Sequence, residues 1–260
     1  MHQNPPIRRE VTPYLAARPA VDARPRLFCF HHAGGTASVF TLLQNVLRAD
    51  VNVVPVQLPG RERRLRDPWP ADMAALVADL DEHLDEFLSE PEPYAFYGHS
   101  MGALVARDLA EHRRARGART PDRLLAGACR APHLTAAFAD AYAQADDQLC
   151  QNMLAAGGLS EELLDYPDWL ASAISLTRND LRLCASRTHI DAGPPPWTVD
   201  AFHGAGDPVV SESDVAAWAA HTGGEFTLHR LPGGHFFLVG EASRAFTELV
   251  AAAVRPRSLR

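Results

Sequence analysis

The feature that most restricts the fold of this chain is Gly98-His99-Ser100-Met101-Gly102. It follows a short aromatic-rich run, Tyr94-Ala95-Phe96-Tyr97, and opens a segment in which Ala103, Leu104, Ala106, Leu109 and Ala110 recur at helical spacing. Pro91 and Pro93 end the helical pattern upstream. That context predicts a strand, a tight turn and a helix. In such an elbow a serine occupies strained backbone where strand becomes helix, and glycines flank it because side chains would block close backbone approach. Ser100 is therefore the candidate nucleophile. The pentapeptide also occurs in ordinary turns, so its weight comes from its surroundings.

Strands and helices alternate on both sides of the elbow. Residues 27–30 read as a buried strand, broken by Ala33-Gly34-Gly35-Thr36 before a helical stretch at 40–47, and the β-branched run 51–58 reads as a second strand. Residues 72–88 are helical, with Met73, Leu76, Val77, Leu80, Leu84 and Phe87 along one face. A strand is expected at 123–128. From about 131 to 194 the alternation lapses into helical segments at 146–156, 160–164 and 169–184, the pattern of an inserted lid. Strands at 197–202 and 226–231 then alternate with helices at 213–221 and 241–254. The expected fold class is α/β, with a mostly parallel central sheet flanked by helices and a helical lid insertion. No Ser/Gly-rich or Pro-rich linker divides the middle, so residues 26–260 are read as one domain preceded by a flexible leader, 1–25.

Composition removes several function classes. The apolar runs fall far short of the ~20 residues that span a bilayer, which predicts no membrane association. The start has prolines and charges but no apolar core of a secretory signal, so a cytoplasmic location is expected. A net charge of −7 argues against nucleic-acid binding, and all 25 basic residues are arginine. Cys29, Cys129, Cys150 and Cys184 are scattered without a C-x-x-C pair, which implies buried thiols. No group of His, Asp and Glu has metal-ligand spacing, so no metal is expected.

A serine hydroxyl needs a general base, usually histidine, and a carboxylate that orients the imidazole. Of 12 histidines, His235 has the best address, in Leu231-Pro232-Gly233-Gly234-His235-Phe236-Phe237 after the last predicted strand. Asp207, in Gly204-Ala205-Gly206-Asp207-Pro208, occupies the corresponding loop after the preceding strand, and Asp180 and Asp200 are its rivals. The order serine, aspartate, histidine is that of α/β-hydrolases, whose three groups meet at the carboxyl edge of the sheet. His31 and His32 could steer a substrate or lie on the surface. His99 reads as structural, and His133 and His203 as supporting groups near strand ends. Two arginine clusters, Arg61, Arg63, Arg64 and Arg66, and Arg113, Arg114, Arg116 and Arg119, read as solvated faces, or else as a patch for an acidic or phosphorylated partner. Leu154, Leu159, Leu163, Leu164, Trp169 and Leu176 would form the lid core, an acyl chamber, or both.

At these residues the chain resembles the type II thioesterases that accompany polyketide synthases and nonribosomal peptide synthetases. The likeness covers 28–35, Gln57-Leu58-Pro59-Gly60-Arg61-Glu62, 98–103, Arg130-Ala131-Pro132, the lid, Asp207-Pro208 and 231–238. It implies an α/β-hydrolase fold and a triad of Ser100, Asp207 and His235. It also implies hydrolysis of acyl groups from the phosphopantetheine of an acyl or peptidyl carrier protein, clearing stalled or mis-primed modules, with no cofactor. The oxyanion hole would use the backbone N–H groups of Met101, after the nucleophile, and Ala33, in an early loop. Three stretches depart from the family. Phe30-His31-His32-Ala33-Gly34-Gly35 stands for Phe-Pro-x-Ala-Gly-Gly, Ala128-Cys129-Arg130 for Ser-Gly-Arg, and Arg178-Asn179-Asp180 for Arg-Ala-Asp. Fold and triad leave open a general esterase or a product-releasing hydrolase. From another class, a silent carrier-binding module stays open, and a fluorophosphonate separates it, since it would not label such a module.

Overall fold

A computed structural model of the chain describes residues 12–134, 136–188 and 193–255. Its strands are β1 (Arg26–Phe30), β2 (Asn52–Val56), β3 (Tyr94–His99), β4 (Arg123–Gly127), β5 (Thr198–Gly204) and β6 (Phe226–Leu231). Its helices are α1 (Thr41–Leu47), α2 (Met73–Leu88), α3 (Met101–Ala115), α4 (Ala136–Ala143), α5 (Asp146–Ala156), α6 (Pro167–Ala185), α7 (Glu212–Ala216) and α8 (Ser243–Val254). The predicted strands and most predicted helices fall within a few residues of these; the helix expected at 160–164 is a 3-10 turn, Glu161–Asp165, the one expected at 213–221 continues from α7 as a 3-10 turn, Ala217–His221, and α4 is an addition.

The six strands form one sheet in the order β2-β1-β3-β4-β5-β6, and every neighbouring pair is parallel. Successive side chains of a strand point to opposite faces. Phe28, Phe30, Tyr94 and Phe96 accordingly enter one core with Leu76, Leu80 and Leu104 of α2 and α3. Leu27, Cys29, Ala95 and Tyr97 enter the other with Leu43 of α1 and Phe246 and Val250 of α8. Burial on both faces explains why these strands read as unbroken apolar runs. Asp72 starts α2 by accepting a hydrogen bond from Ala75 N–H at 2.8 Å. All four cysteines are buried and free.

The strand order places the site. The chain leaves β1 toward β2 on one side, then returns to form β3 on the other, so the loops after β1 and β3 diverge at a topological switch point. A crevice opens there at the carboxyl ends of the strands. Helices α4, α5 and α6 form an insertion between β4 and β5, with a small core of their own around Leu149, Cys150 and Ile174.

The expected leader needs correction over its described part. Tyr14 and Leu15 are buried in the main core, and Leu15 makes an antiparallel bridge to Val56 at the edge of the sheet. An aromatic and an aliphatic side chain in a polar stretch carry enough apolar surface to anchor it. Residues 1–11 lie outside the described residues.

The elbow depends on close backbone approach. A Cβ on Gly102 would lie 2.1 Å from the carbonyl oxygen of Phe30, which is backbone and cannot swing away. Gly102→Ala should therefore cost at least about 2 kcal/mol, seen as a fall of roughly 4–8 °C in Tm. An unchanged thermal melt would show that β1 and α3 are not in this contact.

Candidate active site

Ser100 sits between β3 and α3 with φ 53° and ψ −120°, a strained combination for a residue with a Cβ. Its N–H donates to Gly127 O at 2.7 Å, which anchors the elbow to β4. The loops after β5 and β6 are bound to each other, with Ala205 N–H donating to Leu231 O at 2.9 Å and Gly206 N–H to Gly233 O at 2.8 Å. This brings Asp207 to His235: His235 Nδ1 lies 2.8 Å from Asp207 Oδ2. An ionised carboxylate only accepts, so Nδ1 carries the proton and Nε2 is free to act as a base. Asp207 Oδ1 accepts from Val209 N–H at 2.8 Å and Val210 N–H at 3.1 Å. Burial opposes the charged form of Asp207, but the His235 bond and these N–H groups outweigh it and hold its carboxyl below the usual range.

Ser100, His235, His32 and Ala33 line one cavity of about 380 Å³, roofed by Ala141, Leu149, Met153, Ala156, Thr177 and Leu181 of the helical insertion. Among the described residues no hydrogen bond yet joins the side chains of Ser100 and His235. Such bonds are often long before substrate arrives. Within the turn after β1, Gly34 N–H donates to Asp180 Oδ2 at 2.7 Å and Gly35 N–H to His32 O at 3.0 Å. Ala33 is left as the donor of that turn with no protein acceptor among the described residues. Met101 is the first residue of α3, where the N–H groups have no partner within the helix.

Several other sequence readings change here. The lid residues that line the cavity mix small side chains, Ala141, Ala155, Ala156 and Gly158, with the larger Leu149, Met153 and Leu181, none of them among the six expected there. Leu154 and Leu159 pack in the insertion's own core, one of the two roles expected of them, while Leu164 and Trp169 face solvent at 45% and 72% exposure. His31 is buried and its Nδ1 lies 2.9 Å from His32 O, so it is not on the surface. His32 forms a cavity wall with its ring edge-on to Phe236. Burial, reinforced by the charges of His235 and Arg61, lowers its pKa to about 4, which makes it a neutral ring at pH 7. His133 pairs with His221 at 2.7 Å, and His203 Nε2 lies 3.2 Å from Val210 O, so neither reaches the cavity. Asp200 is held by Arg123 and by His229, the latter at 2.8 Å.

His99 has a more definite role than its sequence position implied. Its Nε2 lies 2.9 Å from the carbonyl of His235, which only accepts, so Nε2 carries the proton. Its Nδ1 then accepts from the Tyr97 hydroxyl at 2.8 Å. Burial, together with the neighbouring His235 and His32, pushes the His99 pKa well below its usual value, so this chain is neutral. It fixes the backbone of the candidate base from beneath.

Each arginine cluster is part internal and part exposed. Arg61, Arg64 and Arg113 are buried at 3%, 7% and 0% exposure, which contradicts a solvated face. Arg113 is bonded to Asp81 and Asp85 of α2 at 2.5 and 2.9 Å, and Arg114 to Glu111 at 2.7 Å. Arg63 and Arg66 alone of the first cluster are exposed. A second cavity of about 330 Å³, between α2, α3 and the end of α6, is ringed by such ion pairs and holds none of the candidate residues. Among the described residues no group of His, Cys, Asp and Glu could hold a metal, and no helix is long and apolar enough to cross a membrane.

A parallel sheet that presents an elbow serine and a carboxylate-bonded histidine at its carboxyl edge, under a helical insertion, has the α/β-hydrolase fold. A family model described as a thioesterase domain matches residues 25–254, and the chain belongs to that family of thioester hydrolases. The thioesterase RedJ of the prodiginine pathway in Streptomyces coelicolor is 35% identical, with a TM-score of 0.80 over 91% of this chain and 95% of its own. The type II thioesterase BorB of the borrelidin cluster is 30% identical, with a TM-score of 0.79 over 92% and 96%. LgrE of Brevibacillus parabrevis, named linear gramicidin dehydrogenase, is 32% identical over 230 residues, 87% of each chain. The dehydrogenase in that name has no counterpart in the turn Ala33-Gly34-Gly35-Thr36, which lacks a Gly-x-Gly-x-x-Gly dinucleotide fingerprint.

Proposed function

We propose that the chain is a serine thioesterase that removes acyl groups from the phosphopantetheine arm of acyl or peptidyl carrier proteins, clearing stalled or mis-primed synthase modules in the cytoplasm. The observation that carries this reading is the cavity shared by Ser100 and the Asp207-bonded His235 beneath a lid whose lining is largely apolar. The relatives named for prodiginine and borrelidin biosynthesis supply the assembly-line setting.

His235 Nε2 takes the Ser100 proton as Oγ attacks the thioester carbonyl carbon. The N–H groups of Ala33 and Met101 hold the oxyanion. The C–S bond breaks, and the proton on His235 leaves with the pantetheine thiol. His235 then takes a proton from water, whose oxygen attacks the acyl-serine; collapse returns the proton to Ser100 and frees a carboxylic acid. Asp207 steadies the imidazolium in both halves. The sequence needs no electron or hydride transfer, so it includes no cofactor.

The carrier is tested by presenting one acyl group on a carrier protein and on a minimal pantetheine-like thiol. The carrier substrate should show at least about tenfold higher kcat/KM, corresponding to ~1.4 kcal/mol of added transition-state binding. Equal values would overturn the carrier assignment and leave a general thioester hydrolase.

A further inference from the structure

We infer that Arg61 and Asp180 are positioning residues for the oxyanion hole, so that lid helix α6 and the turn carrying Ala33 form one mechanical unit. This rests on the proposed role of Ala33. Asp180 lies on the buried side of α6 with no exposure, and Arg61 is 3% exposed. They meet as a two-pronged pair: Arg61 Nη2 donates to Asp180 Oδ1 at 2.6 Å and Nη1 to Oδ2 at 2.7 Å. The pair also makes three bonds to backbone. Nη1 also donates to Gly35 O at 3.1 Å and Nε to Pro59 O at 3.1 Å, while Asp180 Oδ2 accepts from Gly34 N–H at 2.7 Å.

These bonds converge on the peptide groups around the Ala33 N–H. That N–H shares a peptide plane with His32 C=O, which is held by Gly35 N–H at 3.0 Å and by His31 Nδ1 at 2.9 Å. The next plane, Ala33 C=O to Gly34 N–H, is held by Asp180, and the carbonyl of Gly35 by Arg61. Rotation of either peptide plane beside the Ala33 N–H would therefore break a bond to Asp180, to His31 or within the turn. Gly34 has φ +75°, and a Cβ there would lie 2.3 Å from Thr177 Oγ1 of α6, so the helix also presses directly on the turn. A buried ion pair is a weak source of stability. What this one supplies is direction, because each partner places a hydrogen bond on the turn, Asp180 on Gly34 N–H and Arg61 on Gly35 O, while Pro59 O holds Arg61 from the other side.

The test compares Asp180→Asn with Arg182→Gln. Arg182 stands on the same helix and bonds Ala71 O at 2.6 Å and Pro70 O at 2.8 Å, away from the turn. Each variant is assayed for Tm, kcat, KM and inhibition by an alkyl boronic acid, which forms a tetrahedral adduct on serine that needs the oxyanion hole. Asp180→Asn should lower kcat by about 10–100-fold with KM within about threefold, and weaken boronate inhibition by the same factor, short of the full loss of a donor. Arg182→Gln should lower Tm while kcat and boronate inhibition stay at wild-type values. Should Asp180→Asn fail to fold, Arg61→Lys, which keeps the charge but not the fork, reads the same ratios. Wild-type kcat and boronate inhibition in a folded clamp variant would overturn the inference. Failure of the underlying reading looks different: activity in Ser100→Ala, or no boronate inhibition of the wild-type protein.

Discussion

Replacing Ser100 with alanine removes thioester hydrolysis, by a factor on the order of 10⁶ or to below detection, with Tm unchanged within a few degrees. The expected loss is this large because, in the proposed mechanism, His235 and Asp207 act only through the hydroxyl. Without it, the residual rate comes from the oxyanion donors and binding alone. The fold survives because alanine keeps the Cβ at φ 53° and the Ser100 N–H still reaches Gly127 O. Single-turnover hydrolysis of an acyl-carrier substrate measures the rate, and fluorophosphonate labelling gives an independent check: wild-type protein is labelled and the variant is not. Undiminished turnover in the variant would end the serine mechanism outright.

Asp207→Asn should reduce kcat by on the order of 10³–10⁴-fold with little change in KM. The carboxylate has two jobs, and the amide does neither. Asp207 Oδ2 holds the proton on His235 Nδ1 at 2.8 Å, which leaves Nε2 as the base. An amide can turn its NH₂ toward Nδ1, favour the opposite tautomer and so remove the base from Ser100. It also carries no charge to stabilise the imidazolium. Geometry should survive, because Val209 and Val210 N–H can still donate to an amide oxygen in place of Asp207 Oδ1. Steady-state kinetics beside a crystal structure or melt of the variant separates the chemistry from misfolding. A larger loss on Asp200→Asn would move the carboxylate elsewhere, against the contacts of Asp200 with Arg123 and His229.

The strands, the elbow and the Ser100, Asp207, His235 order were legible because each rests on local pattern. Apolar runs, glycine-rich turns and their spacing need no knowledge of distant partners. Helix α4 escaped because Ala136–Ala143, AAFADAYA, is alanine-rich and shows little contrast between faces. The arginines were misread for a different reason. Arg61 and Asp180 are 119 residues apart, and Arg113 and Asp81 are 32 apart, so a cluster of like charges in sequence is dispersed among carboxylates in space. One local signal was available: Ile174, Thr177, Asp180 and Cys184 share the buried stripe of α6, and a carboxylate on such a stripe requires a partner. Of the two roles left open for the lid leucines, Leu154 and Leu159 take the core one, while Leu149, Met153 and Leu181 reach the chamber beside alanines and a glycine; spacing within a helix does not tell which apolar side chain faces a cavity and which faces its neighbour.

The insertion between β4 and β5 also bears on how such enzymes can be diversified. The candidate nucleophile, base and carboxylate lie on segments that follow β3, β6 and β5, so the roof of the chamber can be exchanged as one contiguous piece of chain. Asp180 breaks that modularity where the loss would cost most. A transplanted roof that lacks an equivalent carboxylate would leave the Arg61 guanidinium buried and unpaired under the new helices. Grafts between relatives should therefore be cut so that the α6 carboxylate and the arginine beneath it come from compatible parents.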